Sequence, residues 1–321
     1  MGRPGRTALP RRISRAAGAG ASSQGQQRQR GYSVAGAIIE VPQADAGLHV
    51  VATPIGNLGD ITLRALRILA GADAVICEDS RVSARLLAHY GISTPLVTYH
   101  DHNAEKVRPR LMARLAAGDA LALITDAGTP LVSDPGYRLV QETIASGIAL
   151  TAAPGPAAPV NALVLSGLPS DRFFFEGFLP PRQAARRKRL AALAAIPATL
   201  LFFESPRRLG ACLADMAEVL GPRGAAVARE MTKRFEELRR GELPVLAAHY
   251  EGAAPRGEIV IAVAPPLEGA GEGAGDLDEM LTALLADMSL RDAVAEAVAR
   301  SGLDRKSVYA RALELARKAK G

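Results

Sequence analysis

From Leu48 onward, short apolar runs alternate with stretches whose apolar residues recur at helical spacing. LHVVA, AVICE, PLVTY, ALALIT and IALTAA are too short for buried helices and predict strands. Between them, ITLRALRILAGAD sets Ile61, Leu63, Leu66, Ile68 and Leu69 near one helical face, and VSARLLAHYG, AEKVRPRLMARLAAGD and YRLVQETIASG read as further helices. PGPAAPVNALVLSGL is a loop running into a helix. Strands buried on both faces and separated by helices predict an α/β unit with a largely parallel sheet, placed at residues 47–168.

The alternation restarts at DRFFFEGF and runs through the basic helix RQAARRKRLAALAA, the strand ATLLFFE, the helix SPRRLGACLADMAEVLG, the strand AAVARE, the charged stretch MTKRFEELRRGEL and the strand EIVIAVA. A second α/β unit is therefore expected at 169–265, a Pro/Gly-rich linker at 266–276 and a small helical module at 277–321, in which LRDAVAEAVARSG and DRKSVYARALELARKAK predict two helices. Residues 1–46 lack apolar periodicity. Rich in Gly, Ser, Gln and Arg, they are expected to be a disordered basic extension without a core position, and their acid-poor make-up also matches a transit peptide.

Charge changes this picture in one respect. The formal net charge is +6, yet residues 1–39 carry seven arginines and no acid, so the rest of the chain is near neutral. Two local clusters stand out against that background: Arg182, Arg186, Arg187, Lys188 and Arg189 on one helix, and Arg305, Lys306, Arg311 and Arg317 near the C-terminus. Basic patches on a neutral body suggest a polyanion partner, although solvated helix faces look the same. Aromatic residues make up only 4%, which argues against a base-stacking RNA platform. Cys77 and Cys212 are far apart and outside any CxxC spacing, so neither a disulfide framework nor a cysteine zinc site is expected, and a reducing cytoplasm fits. No apolar run is long enough to predict a membrane span.

The candidate chemistry lies in three irregular turns that follow predicted strands: TPIGNLGD at 53–60, TDAGTPLVSDPG at 125–136 and PGPAAP at 154–159. Ligands of open α/β sheets collect outside the carboxyl ends of strands, and Gly- and Pro-rich turns let a stiff backbone approach them. Neither GxxxxGK[ST] nor a strand-following GxGxxG is present, which weakens nucleotide hydrolysis and hydride transfer. EDSR at 78–81, YHDHN at 99–103 and AREMTK at 228–233 add titratable groups at further strand ends. His100 and His102 could begin a metal site, but without a third ligand no metal is expected.

Taken in order, VATPIGNLGDITLRAL, EDSR, YHDHN, TDAGTPLVSDPG, PGPAAPVNAL, GLPSDRFFFEGFLP, FFESPRR and AREMTK resemble the bacterial small-subunit rRNA cytidine 2′-O-methyltransferases, a branch of the tetrapyrrole methylase superfamily. The resemblance spans about Leu48 to Lys320 and leaves the N-terminal extension outside. It implies the two-domain class III S-adenosylmethionine (SAM) methyltransferase fold with a small helix-turn-helix-like C-terminal module, SAM in the cleft between the domains, a homodimer, and 16S rRNA of the small ribosomal subunit as partner, with cytidine 1402 as target. Carried over position by position, the cofactor would meet Pro54, Gly56, Asp126, Gly128, Thr129, Pro130, Val132, Pro156, Ala157, Ala158, Phe203, Ala228 and Arg229. The 125–136 loop would hold it by main-chain groups, with Thr129 where other superfamily members have aspartate. Asp101, His102, Glu230 and Lys233 are the candidates to assist a weakly acidic ribose hydroxyl, and Arg186, Arg187, Arg189, Lys306 and Arg311 are the candidates for RNA contact. Two alternatives remain open: a methylase of a small tetrapyrrole-like molecule, which would need neither basic cluster, and a non-catalytic ribosome-assembly factor that keeps the fold.

Overall fold

The computed structural model describes residues 30–133, 136–253, 255–266, 274–301 and 305–318. Residues 1–29 of the expected extension, 267–273 of the expected linker, and Asp134 and Pro135 of the central loop lie outside the described residues.

A hairpin of β1 (Gly31–Val34) and β2 (Ala37–Glu40) comes first, closed by Ala35 and Gly36 in the left-handed region. There follow β3 (Gly47–Val51), α1 (Leu63–Gly71), β4 (Ala74–Cys77), α2 (Ser80–His89), β5 (Leu96–Thr98), α3 (Ala104–Ala116), β6 (Ala120–Leu123), α4 (Tyr137–Ala145) and β7 (Leu150–Ala153). The five strands β3 to β7 form one parallel sheet in the order β5-β4-β6-β3-β7. One face is covered by Val51, Leu66, Leu69, Val75 and Ile124, the other by Leu48, Ile76, Leu111, Leu121 and Leu139. Every residue of β4 and β6 is buried, which accounts for their continuous apolar sequence. Thr62 caps α1 by accepting the Ala65 N–H, and Asp79 caps α2 by accepting that of Arg81, so both helices begin where the strand-end loops finish.

After α5 (Ala158–Ser166) a second sheet is built from β8 (Phe173–Phe178), β9 (Thr199–Glu204), β10 (Gly224–Arg229), β11 (Glu237–Glu242) and β12 (Ile259–Val263), with α6 (Gln183–Leu193), α7 (Leu209–Leu220) and α8 (Leu243–His249) in the connections. Its order is β11-β10-β12-β9-β8, and only the β8–β9 pair is parallel. The charged stretch after AAVARE thus contains an edge strand, β11, whose arginines and glutamates suit the open side of a sheet. The C-terminal module has three helices, α9 (Ala274–Asp287), α10 (Leu290–Ser301) and α11 (Arg305–Lys318), around Leu281, Val294, Ala297, Val308 and Ala312. The expected pair of helices is corrected to three, and α9 starts inside the expected linker.

The expected disorder of residues 1–46 is corrected over residues 30–46. Tyr32, 6% exposed, packs into the same cluster as Leu66, Leu69 and Tyr90, and Ser33 N–H donates to the Tyr90 carbonyl at 2.7 Å. Arg30 pairs with Asp73 at 2.9 Å and donates to the Gly71 carbonyl. Burial pushes the Asp73 carboxyl up, but the Ala120 N–H, Arg30 and Gln43 outweigh it and hold the group below its usual range. Val-Ala-Gly-Ala lacks the Asn-Gly signature of a two-residue hairpin, and one inward aromatic cannot make a visible period.

Tyr32→Ala is expected to cost about 3 kcal/mol in urea unfolding, by loss of a buried ring. Ile38→Ala, at a side chain 77% exposed on the same hairpin, should change stability by no more than about 0.5 kcal/mol. Equal stabilities for the two variants would mean that the hairpin does not belong to the core.

Candidate active site

The three irregular turns follow β3, β6 and β7, which are neighbours in the sheet, so they emerge side by side at one edge. They are also joined to one another. Thr53 and Gly128 exchange two backbone hydrogen bonds, of 2.8 and 3.1 Å, and the Thr53 hydroxyl donates to the Thr125 carbonyl at 3.1 Å. The Thr129 hydroxyl donates to the Pro156 carbonyl at 3.0 Å. Gly128 sits at φ 85°, where a side chain would be strained and a Cβ would lie 3.3 Å from Ile55. The Gly128 N–H and C=O are both engaged by Thr53, so this residue's main chain joins the loops to one another.

Across from this platform stand the ends of β9 and β10 and the start of β12. Two adjoining hollows lie between the two halves, of about 420 and 320 Å3. Asp126, Gly128, Thr129, Val132, Ala157, Ala158 and Phe203 line the larger one. Pro54 and Gly56 line the smaller one instead. Pro130 is buried in the loop, Pro156 faces Thr129, Ala228 is a core residue 1% exposed, and Arg229 is held by Glu237 at 2.7 Å, so none of these four lines either hollow. Ile55, Glu78, Phe178, Glu204 and Met231, which lie in the motifs but are not assigned to the cofactor by the resemblance, line the larger hollow too, as does the segment Gly257–Val260. That last segment reads only as a strand start, and nothing local signals that it faces a loop two hundred residues away in the chain.

The charges divide between the hollows. The larger is lined by Glu78, Asp126, Glu204 and Glu258, with no Lys, Arg or His among its described lining residues. Glu204 is engaged by Arg208 at 3.1 Å and by the Ser205 N–H at 2.7 Å. The smaller adds Arg85 and Lys233. Lys233 reaches it beside Gly56, where a Cβ would fall 2.4 Å from the Lys233 chain, and bridges Glu230 at 2.8 Å and Glu258 at 2.9 Å. Lys233 holds the Glu230 carboxyl below its usual range, helped by the Glu258 N–H. Burial lowers the Lys233 ammonium, but the two glutamates outweigh it and raise the group above its ordinary value. Lys233 is therefore a fixed cation and Glu230 its clamp, which leaves Lys233 able to assist by charge and not as a base. Glu230 and Thr232 lie at φ 51° and 66°, and Leu131 and Ser133 at 74° and 70°, so backbone strain collects on both sides of the cleft.

The remaining candidates fall elsewhere. Asp101 and His102 are exposed in the turn after β5, the edge strand, and line neither hollow. Arg186 is 4% exposed and its guanidinium donates to Asp215 at 2.7 Å, while Arg187 pairs with Asp215 and Glu218 and Arg189 with Glu176. These pairs fasten α6 to α7 and β8, and the buried Arg186 is corrected as an RNA contact. Arg311 likewise pairs with Asp278 and Glu314, whereas Lys306 is exposed on α11. Among the described residues no cluster could hold a metal ion, and no helix is long and apolar enough to cross a membrane.

A two-sheet α/β body with a cleft at the strand ends, a stapled loop floor and a separate three-helix module defines the class: an S-adenosylmethionine-dependent methyltransferase. Residues 47–247 match the Tetrapyrrole (Corrin/Porphyrin) Methylases and residues 271–316 match the RsmI C-terminal HTH domain, and the chain belongs to the tetrapyrrole methylase family. It is 55% identical over 273 residues to a Mesorhizobium japonicum protein named Ribosomal RNA small subunit methyltransferase I, covering 84% of this chain and 92% of that one. A Pseudomonas aeruginosa protein of the same name is 46% identical over 275 residues, covering 83% and 96%. Among solved structures a diphthine synthase matches the fold with a TM-score of 0.53 at 16% identity, over 68% of this chain and 89% of that one.

The larger hollow fits the donor. SAM carries a sulfonium, an ammonium and one carboxylate, a net positive charge, and an acid-lined cleft of a few hundred Å3 with mostly apolar walls suits it.

Arg186→Ala, which leaves Asp215 buried with one partner fewer, is expected to lower stability by about 3 kcal/mol in urea unfolding while SAM affinity stays unchanged. Glu230→Gln tests the clamp through pH. A carboxyl held below its usual range stabilises the protein at neutral pH, and that contribution is lost as pH falls through the lowered value. The variant's thermal midpoint should therefore drop near pH 7 and approach that of the parent below pH 4. Parallel curves at every pH would exclude the ion pair as a stabiliser.

Proposed function

We propose that this enzyme methylates the 2′-hydroxyl of a cytidine ribose in small-subunit ribosomal RNA, with cytidine 1402 as the target. The observation that carries the reading is a base-free hollow for a cationic donor beside a second one where Arg85, exposed and without an ion pair among the described residues, can meet the phosphate of an anionic chain. Relatives covering more than nine tenths of their own length are named for small-subunit ribosomal RNA, and the chain carries the same kind of C-terminal module.

In this reading the bound donor supplies a sulfonium methyl group, and the protein contributes position more than covalent chemistry. Thr129, Ala157, Ala158 and Phe203 would hold the donor against the stapled loops. Lys233, fixed by Glu230 and Glu258, would face the RNA backbone as a permanent cation. Lys306, with Arg305 and Arg317 also exposed on α11, would add phosphate contacts from the C-terminal module. The exposed apolar side chains Val160 and Val164 on α5 favour a homodimer. The absence of a membrane-crossing helix among the described residues is compatible with cytoplasmic ribosomes.

Incubation with labelled SAM and undermethylated small ribosomal subunits should place one methyl group on a cytidine ribose, mapped by nuclease digestion and mass spectrometry. Methylation of a base, or of a tetrapyrrole and not RNA, would overturn the proposal. Lys306→Glu should weaken subunit binding and flatten its log–log salt dependence by roughly 0.7 to 0.9 per lost contact, leaving SAM affinity intact.

A further inference from the structure

The smaller hollow adjoins the donor cleft across a wall formed by Ile55, Thr125, Asp126, Ala127 and Glu258, all of which line both. Away from that wall it is bounded by Pro54 and Gly56 of the first loop, by Val82, Arg85 and Leu86 of α2, and by Lys233. Its volume, about 320 Å3, suits a group the size of a nucleoside and is too small for a helical stretch of RNA. A nucleotide reaching it would have to leave its stack, as substrates of nucleic-acid-modifying enzymes do. Arg85 is exposed and makes no ion pair among the described residues, so it is available to a phosphate at the mouth.

The shared wall is where a hydroxyl in the smaller hollow would meet a methyl group in the larger. Two carboxylates stand there. Glu258 is occupied by Lys233 at 2.9 Å. Asp126 accepts only the Asp79 N–H, through Oδ1 at 3.1 Å, and makes no ion pair among the described residues. Glu230 and the exposed turn carrying Asp101 and His102 are off the shared wall.

We infer that the smaller hollow receives the target nucleotide of the RNA, and that Asp126 accepts the proton of its ribose hydroxyl. The inference rests on the reading of this protein as an RNA ribose methyltransferase. In the step, the hydroxyl oxygen forms the new O–CH3 bond while the S–CH3 bond breaks and leaves its electron pair on sulfur. The hydroxyl proton passes to the Asp126 carboxylate and from there to solvent, so a sulfonium becomes a thioether with no other reactant required. The charged and titratable groups around Asp126 are Cys77, Glu78, Asp79, Arg81 and Arg85 from β4 and α2, and Lys233 and Glu258 from the second half. Arg81 is turned to Asp79, whose carboxyl it holds at about 2.

Asp126→Asn keeps an oxygen for the Asp79 N–H, so the loop should hold its shape. Methyl transfer to small subunits should fall about 10²- to 10⁴-fold in kcat, with SAM affinity by calorimetry and subunit affinity both unchanged. Its residual rate should rise about tenfold per pH unit above neutrality, because hydroxide replaces the lost acceptor, while the parent enzyme shows no such rise. Val82→Trp, at a surface position on α2, should fill the hollow, raise KM for the subunit at least tenfold and leave SAM affinity untouched. Wild-type turnover in either variant would overturn the inference, as would loss of SAM binding in Asp126→Asn. If the parent enzyme itself puts no methyl on a ribose, the proposed function fails first; if it does and the variants match it, only this inference fails.

Discussion

The two-bond exchange between Thr53 and Gly128 is the contact on which the cleft depends. A loop after β3 and a loop after β6 would otherwise be independent surface segments, each with its own freedom. Cross-linked to each other, and through Thr129 to the loop after β7, they become one floor. The bridge requires a residue that tolerates φ 85° and brings no side chain against Ile55, and Gly128 meets both conditions. The stiffness of TDAGTP therefore serves first to join loops and only then to meet a ligand.

Opposite that floor, the second half of the molecule brings charge rather than shape. Burial lowers the Lys233 ammonium, and two glutamates outweigh that effect and raise the group above its ordinary value. Gly56 leaves the space through which its aliphatic chain reaches the cleft. The smaller hollow shares Asp126 and Glu258 with the larger but adds Arg85 and Lys233, so among the described residues cations enter the cleft on that side alone. The strained residues at 131, 133, 230 and 232 lie where the two halves face each other, which is where a rigid body can hold them in place.

The arginines of α6 show how composition misleads about surface. Five basic residues in eight look like a polyanion face, yet Asp215, Glu218 and Glu176 come from other elements to neutralise three of them. Charge patterning in one segment reports nothing about the acids that folding brings from elsewhere. On α11, Arg311 is neutralised in the same way, and Lys306 is exposed without an acidic partner among the described residues.

The sequence by itself determined the alternation of strand and helix, the division into two α/β units and a helical module, and the three loops that carry the site. Those features rest on local periodicity and on residues such as Gly and Pro whose backbone demands are intrinsic. It also led to the fold family, through motifs that lie in those loops. Only the tertiary structure decided which strand ends are neighbours, and so that Thr53 binds Gly128 and that Gly257–Val260 closes the cleft. It decided that Tyr32 belongs to the core, because a lone inward aromatic on a four-residue strand has no period to announce it. It decided too that Glu230 and Lys233 hold each other while Asp101 and His102 stand aside. Ion pairing and burial depend on distance in space, and residues far apart in the chain supply the partners.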